Sequence, residues 1–123
     1  MSGTAERPWP SDIKLRKKER ILEVRFENGE HFSLPAEYLR VESPSAEVQG
    51  HGAGQKQTIG GKCDVAITGL EPVGNYAVRI LFDDGHDSGL FTWETLHRLG
   101  AGQDEIWAQY LAALSQKGLS RAP

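Results

Sequence analysis

An internal repeat constrains this chain more than any other feature of its sequence. The run Phe-Glu-Asn-Gly at 26–29 returns as Phe-Asp-Asp-Gly at 82–85. Further positions match in the same order, with one extra residue after the turn in the second copy: Leu34, Glu37 and Leu39 match Phe91, Glu94 and Leu96. Two copies are too few for a solenoid, which needs at least three. The repeat therefore predicts two halves that fold alike and pack together.

The residues before each repeated turn predict a strand. Apolar residues alternate with charged ones over 22–26, and in the second copy Val78, Ile80 and Phe82 repeat the spacing with Arg79 between the first two. This period of two is typical of a strand with one exposed face. Asn28-Gly29 and Asp84-Gly85 then predict two-residue hairpin turns, which require positive φ at both central residues.

Each copy is completed by two more strands and a short helix. We expect an upstream strand around Ile13 and Leu15, and its counterpart over 65–70, followed by a turn at 71–75. The strands after the hairpin turns should cover 30–34 and 87–91. Pro35 suits the start of the first helix because its missing N–H has no partner there in any case. Thr92 is a suitable N-cap for the second helix.

A last helix is predicted over 104–118. Its apolar residues share one helical face and indicate core packing: Trp107, Tyr110, Leu111 and Leu114. The predicted fold class is therefore α+β, with two small antiparallel β-meanders (a pseudo-repeat) packed together, a short helix after each meander and a C-terminal amphipathic helix.

The length of 123 residues favours one domain. We place it at 12–118, between a flexible N-terminal arm at 1–11 and a flexible tail at 119–123. Trp9 lies in the arm, where an exposed aromatic residue is unusual and suggests a docking role.

Charge and cysteine content narrow the class of protein. A net charge of -3 gives no electrostatic reason to expect a nucleic acid or a membrane as partner. Cys63 is the single cysteine, so no intrachain disulfide can form, and a reducing cytoplasm is the expected location. At the start of an apolar run, Cys63 is interpreted as a structural thiol.

The glycine-rich connector between the two copies, residues 42–62, is the segment that the repeat does not explain. It begins within LRVESPSAEVQGHG, which holds small polar residues and His51. Long segments without predicted secondary structure inside a compact domain are often functional.

The order of several motifs resembles a known family. LR with a Ser/Pro-rich run, then LEPVGNYAV, then FDDGHDSGLFTWETL, is similar to the N-terminal domain of gamma-butyrobetaine and trimethyllysine hydroxylases. The resemblance covers about residues 12–98. The same domain occurs alone in bacteria, as a domain of unknown function of the DUF971 type. It also occurs at the C-terminus of some P-loop iron–sulfur cluster carrier ATPases.

This resemblance implies a degenerate zinc site. Three cysteines and a histidine close a tetrahedral structural zinc in the hydroxylases. Those positions fall on Ser43, Ser45, Val48 and His86 here, and only His86 is a competent ligand. We therefore expect no cofactor and no structural zinc, and we expect His86 to be held by one of the serines or by Glu47.

Three hypotheses for function follow. The first is a small non-catalytic binding or adaptor domain with a protein partner and, by resemblance, a role in iron–sulfur cluster assembly or delivery. Its candidate binding surface comprises Arg40, Ser43, Ser45, Glu47, His51 and His86. The second is a structural or oligomerisation module. The third is an open metal site formed by Glu47, His51 and His86.

An enzyme is not expected, because the sequence shows no nucleophile–base pair and no cofactor fingerprint. Hydroxylase chemistry would need a separate catalytic domain. The partner, the process and the oligomeric state stay open at this point.

Overall fold

The structure is a computed structural model that describes residues 8–50 and 54–123. Its strands, in chain order, are β1 (Pro10–Arg16), β2 (Ile21–Phe26), β3 (His31–Pro35), β4 (Ile67–Val73), β5 (Ala77–Phe82) and β6 (Leu90–Thr92). Its helices are α1 (Ala36–Val41), α2 (Ala46–Gln49), α3 (Trp93–Ala101) and α4 (Gln103–Gln116). The strands form two three-stranded antiparallel sheets, in the orders β1-β2-β3 and β4-β5-β6. The predicted α+β fold with two meanders is confirmed.

The repeat extends to the pairing of the strands. Leu22 pairs with Leu34 in the first sheet, and the matching residues Val78 and Phe91 pair in the second. Each first strand also has one irregularity at the matching place, between residues 10 and 12 in β1 and between residues 67 and 69 in β4. The two halves therefore share a backbone framework as well as a sequence pattern.

The hairpin turns differ from the predicted two-residue type. The N–H of Gly29 donates to the carbonyl of Phe26 at 3.0 Å, and the loop spans residues 27–29. In the two turns, positive φ occurs at Gly29 (94°) and Gly85 (89°) and not at the residue before each glycine. This is a type I turn followed by a glycine in the left-handed region.

Side chains in the turns explain this difference. The backbone N–H of Glu30 donates to the Asn28 side chain at 2.9 Å, and that of His86 donates to the Asp84 side chain at 3.1 Å. Such contacts, two residues along the chain, stabilise a turn without positive φ at the Asn or Asp. The turn predicted at 71–75 is also displaced, because β4 continues to Val73 and the loop spans 74–76.

The core lies between the two sheets and the helices that cover them. Apolar residues at alternate positions in β2 and β5 are buried, as their periodicity predicts. The fully buried large side chains of this cluster include Leu22, Val24, Phe26, Leu34, Tyr38, Leu39, Ile80, Phe91, Leu96 and Leu99. None of the helices that the structure describes has the length and apolar character needed to cross a bilayer.

Helix α4 packs through a narrower face than its sequence suggests. Tyr110 and Leu114 are buried and form a second cluster with Val41. Leu111, which we placed on the core face, is 39% exposed. The helical pattern gave the correct orientation, but the contact with the rest of the chain is too narrow to cover Leu111.

Both predicted termini contribute to the packed domain. Strand β1 begins at Pro10, inside the predicted arm, and the N–H of Glu27 donates to the Trp9 carbonyl at 2.9 Å. In the predicted tail, the carbonyl of Arg121 accepts a hydrogen bond from the N–H of Cys63 at 3.0 Å. Proline at the first position of a strand weakens the sequence signal for that strand without preventing the pairing.

The N-cap of α3 gives a test of this description. The Thr92 hydroxyl accepts a hydrogen bond from the N–H of Thr95 at 3.1 Å. We expect Thr92→Ala to lower the free energy of unfolding by about 1 kcal/mol, because it leaves that N–H without its cap. Thr92→Ser keeps the hydroxyl and serves as the matched control. Urea denaturation curves that superimpose for the two variants would contradict the assignment.

Candidate functional site

Polar residues of the connector meet polar residues of the second hairpin in one place, here called the serine corner: Ser43, Ser45, Glu47, His86 and Ser88. The 43–47 segment leads from α1 into α2, and residues 86–88 connect β5 to β6. Ser45 begins α2 as its N-cap, because its hydroxyl accepts a hydrogen bond from the N–H of Glu47 at 3.1 Å. The corner thus joins the connector to the second hairpin.

His86 lies at the centre of the serine corner and is held on both sides. Its side chain is only 3% exposed. Its Nε2 lies 3.0 Å from Ser43 Oγ, and its Nδ1 lies 3.4 Å from Glu47 Oε1. Both expected partners are therefore in contact with the imidazole, one at each ring nitrogen.

Burial determines the protonation of His86. Burial, followed by the positive charge of Arg40, lowers its pKa below the ordinary value of 6.5. The carboxylates of Glu47, Asp84 and Asp87 act in the opposite direction but do not offset these effects. His86 is therefore a neutral hydrogen-bonding group near pH 7.

The hydroxyl of Ser88 completes the contacts of the Glu47 carboxylate. Ser88 Oγ donates to Glu47 Oε1 at 2.5 Å and lies 2.9 Å from Ser45 Oγ. The hydrogen bond from Ser88, followed by the charge interaction with His86, lowers the pKa of the Glu47 carboxyl. Glu47 is consequently an anion with fixed partners, although 69% of its side chain is exposed.

A glycine makes the buried position of Ser43 geometrically possible. Ser43 is 0% exposed, and a Cβ on Gly89 would lie 2.3 Å from Ser43 Oγ. No side chain fits at position 89 without displacing the serine. Sequence reasoning missed Ser88 and Gly89, because a lone serine and glycine after a hairpin carry no periodic signal.

Beside the serine corner, Arg40 is used within the molecule. Its Nε donates to Asp84 Oδ2 at 2.8 Å, and Lys62 Nζ donates to the same oxygen at 2.6 Å. Burial raises the pKa of Asp84, but these two cations and the N–H of His86 outweigh it and bring the pKa to about 2. Because the Arg40 side chain is only 12% exposed, it is not presented to a carboxylate on a partner.

Most of the predicted binding surface is therefore interior. Ser43, Ser45 and His86 are buried, and of the candidates that the structure describes only Glu47 is exposed. His51 lies outside the described residues. The buried members of the serine corner hold the connector, and its exposed members are Glu47 and Ser88.

In the order Ser43, His86, Glu47, the imidazole hydrogen-bonds the hydroxyl through Nε2 and lies 3.4 Å from the carboxylate through Nδ1. Nucleophilic hydrolases use the same chemical order. Here the hydroxyl is 0% exposed and faces the backbone of Gly89. A substrate therefore has no access to Ser43 Oγ in this arrangement, and its contacts serve packing.

The zinc implied by the resemblance does not fit these residues. Thiolates are the ligands of such structural sites, and serine hydroxyls and valine do not replace them. Val48 is buried, and both nitrogens of His86 have other partners. Over residues 8–50 and 54–123, no three or more His, Cys, Asp or Glu side chains form a group suited to a metal ion.

A second feature, here called the aromatic cleft, lies where the residues just before β1 meet the turn between β4 and β5 and the start of α3. Its volume is about 220 Å³. Trp9 and Tyr76 are 46% and 52% exposed, and Trp93 Nε1 donates to the carbonyl of Asn75 at 2.9 Å. The residues that line it are Pro8, Trp9, Asn75, Tyr76, Thr92, Trp93 and Glu94.

Comparison with known proteins identifies the family. Residues 13–97 match the family described as gamma-butyrobetaine hydroxylase-like, N-terminal. The chain belongs to this family. The matched residues include both sheets except the first three residues of β1, together with the connector and the serine corner, in agreement with the resemblance seen in the sequence.

Several solved structures are similar to the chain. Two are NMR solution structures of proteins, 49% and 46% identical, with TM-scores of 0.84 and 0.83. The alignments cover 96% and 100% of this chain and 93% and 92% of those proteins. No curated protein matches the chain significantly.

A third similar structure carries a family name. It is the crystal structure of an Acidithiobacillus ferrooxidans protein of unknown function that belongs to the DUF971 family. It is 40% identical, with a TM-score of 0.64 over 75% of this chain and 92% of that protein.

The close approach of Ser43 to Gly89 predicts non-additive mutational effects. We expect Gly89→Ala to cost about 1–3 kcal/mol of unfolding free energy, because the new methyl overlaps Ser43 Oγ. In a Ser43→Ala background the next neighbours of that methyl are Phe91 Cε1 at 3.2 Å and Pro44 Cδ at 3.5 Å, so the same change should cost less. A double-mutant cycle by urea denaturation measures the coupling, and additive costs would contradict the contact.

The lowered pKa of His86 predicts a pH dependence of stability. The unfolded chain takes up the proton first as the pH falls through about 6.5, so the free energy of unfolding decreases there. The decrease in unfolding free energy due to His86 ends once the pH is below the pKa of His86 in the folded protein. His86→Gln removes the titration and keeps a hydrogen-bonding side chain. Urea denaturation between about pH 7.5 and 5 should show a flatter profile for this variant, and equal slopes would refute the assignment.

Proposed function

We propose that this chain is a small non-catalytic protein-binding or adaptor domain. The observation that supports it is the aromatic cleft. Two large aromatic side chains, Trp9 and Tyr76, are about half exposed on the same cavity. Tryptophan and tyrosine are enriched at protein interfaces, where they supply most of the binding energy. The docking role first suggested for Trp9 alone now includes a second residue distant in sequence.

The burial of the serine corner favours binding at a different place. Its hydroxyls and its imidazole are occupied by one another, so we assign it the task of fixing the connector between the two halves. The binding task then moves from the predicted surface at 40–51 to the aromatic cleft. In this proposal the chain performs no reaction of its own.

The biological process proposed is iron–sulfur cluster assembly or delivery. This part of the proposal rests on the resemblance to domains fused to P-loop cluster carrier ATPases. The analogy is between members of a family and does not involve particular residues of a binding site. In this proposal the chain acts by binding such an ATPase.

Binding to the carrier ATPase of the same organism tests this proposal. We expect isothermal titration calorimetry to show a complex with the full-length ATPase. A Trp9→Ala, Tyr76→Arg double variant should weaken the complex at least about tenfold, because it removes both exposed anchors. Leu119→Ala removes an exposed apolar residue outside the cleft and is the matched control. Absence of binding to the ATPase would refute the assignment to cluster delivery.

A second candidate is the structural or oligomerisation module, which the exposed face of α4 favours. Leu111 is 39% exposed although it belongs to the apolar stripe of that helix. Sedimentation velocity distinguishes the two candidates: a dimer that Leu111→Glu dissociates would support this module. The open site of Glu47, His51 and His86 is decided by metal analysis of protein purified without an affinity tag.

A further inference from the structure

We infer that the aromatic cleft binds an extended peptide segment of a partner protein and that Glu94 pairs with an arginine of that segment. The inference rests on the protein-binding function proposed above and names the chemistry of the partner. Its basis is a comparison between the two halves of the molecule, which share a backbone framework but not the side chains at this place.

The first comparison concerns Trp9. Its carbonyl accepts a hydrogen bond from the N–H of Glu27 at 2.9 Å. In the other half, the carbonyl of Ala66 accepts one from the N–H of Asp83 at the same distance of 2.9 Å. Trp9 and Ala66 therefore occupy the same place in the two frameworks.

The second comparison concerns the other two aromatic residues. The N–H of Trp93 donates to the carbonyl of Tyr76 at 3.3 Å, and the N–H of Ala36 donates to the carbonyl of Arg20 at 2.8 Å. Tyr76 thus corresponds to Arg20, and Trp93 corresponds to Ala36. The framework accommodates alanine, arginine and alanine in one half, so it does not itself require three aromatic residues in the other.

The same correspondence shows what the carboxylate at this place can bind. Glu37 is the second residue of α1, and Glu94 is the second residue of α3. Glu37 receives two hydrogen bonds from Arg121, at 2.8 Å from Nε and 2.6 Å from Nη2. The guanidinium also lies 5.3 Å from the ring centroid of Trp107. Arg121, which lies on the C-terminal segment and beside the Trp107 ring, thus binds the Glu37 carboxylate.

Glu94 also has aromatic side chains beside it, but no arginine of the described residues binds its carboxylate. It is exposed, and no residue in the described part of the chain pairs with its carboxylate. Trp9, Tyr76 and Trp93 line the same cavity. A guanidinium is planar, binds a carboxylate through two parallel hydrogen bonds and stacks on aromatic rings. Arginine therefore fits this combination better than lysine, which offers a point charge.

An NMR titration with a defined probe tests the inference. The probe is the acetylated hexapeptide Gly-Leu-Ser-Arg-Ala-Pro, which has the sequence of residues 118–123. Versions with lysine or citrulline in place of arginine are the matched ligands. We expect the indole N–H signals of Trp9 and Trp93 to shift while that of Trp107 does not. The citrulline peptide should bind at least about tenfold more weakly, since it cannot form the charged pair.

Protein variants separate the charge from the aromatic surface. Glu94→Gln should weaken binding of the arginine peptide about tenfold, equal to about 1.4 kcal/mol. Glu105→Gln, at an exposed position on α4 outside the cleft, should leave it unchanged. Trp9→Ala with Tyr76→Arg installs the residues of the other half, so it should fold and lose the binding. Thermal unfolding confirms that this variant is folded.

Several results would overturn the inference. The first is the absence of any shift at Trp9 and Trp93 up to about 10 mM peptide. Equal affinity for the citrulline peptide would remove the role of Glu94. Shifts confined to Trp107 would place the probe at the chain's own Arg121 site. If the indole N–H signals of Trp9 and Trp93 shift with protein concentration and not with added peptide, a second copy of the chain occupies the cleft. If the peptide does not bind but the full-length ATPase does, the proposed binding function is supported and this inference is wrong. If the peptide binds but the ATPase does not, this inference is supported and the partner is a protein other than the ATPase.

Discussion

The buried contact of His86 with Ser43 and Glu47 is the constraint on which the arrangement of the connector depends. The Ser43 hydroxyl and the Glu47 carboxylate each contact one ring nitrogen of the neutral imidazole, so His86 is buried beside the core with a polar partner on both sides. It ties the connector to the second hairpin. Gly89 is the residue that lets Ser43 approach the histidine.

The two halves illustrate how a repeated framework acquires different local chemistry. Matched backbone hydrogen bonds fix the same places in both halves, while the side chains at those places differ. One half presents aromatic residues around Glu94, whose carboxylate has no pairing residue within 8–50 and 54–123, and the other half closes its equivalent carboxylate with Arg121. The binding of Arg121 to Glu37 thus shows, within the same chain, the type of ligand that we propose for Glu94 in the aromatic cleft.

Local patterns predicted much of the fold. Alternation identified β2 and β5, and Thr92 was recognised as a cap because capping depends on residues within one helical turn. The turn type was wrong, since the side chains of Asn28 and Asp84 accept backbone hydrogen bonds that the dipeptide signal does not reveal. Leu111 was placed in the core because periodicity gives the direction of a face but not the width of its contact.

The sequence by itself determined the duplicated meander, because periodicity and turn chemistry act between near neighbours. The place of His86 beside the connector was implied only by the resemblance to the family. Only the tertiary structure decided that Arg40 and the serines are interior, that Ser88 and Gly89 complete the corner, and that Trp9 shares a cleft with Tyr76 and Trp93. Burial and contacts between distant segments depend on how the two halves pack, and no local pattern in the chain specifies which side chains that packing covers.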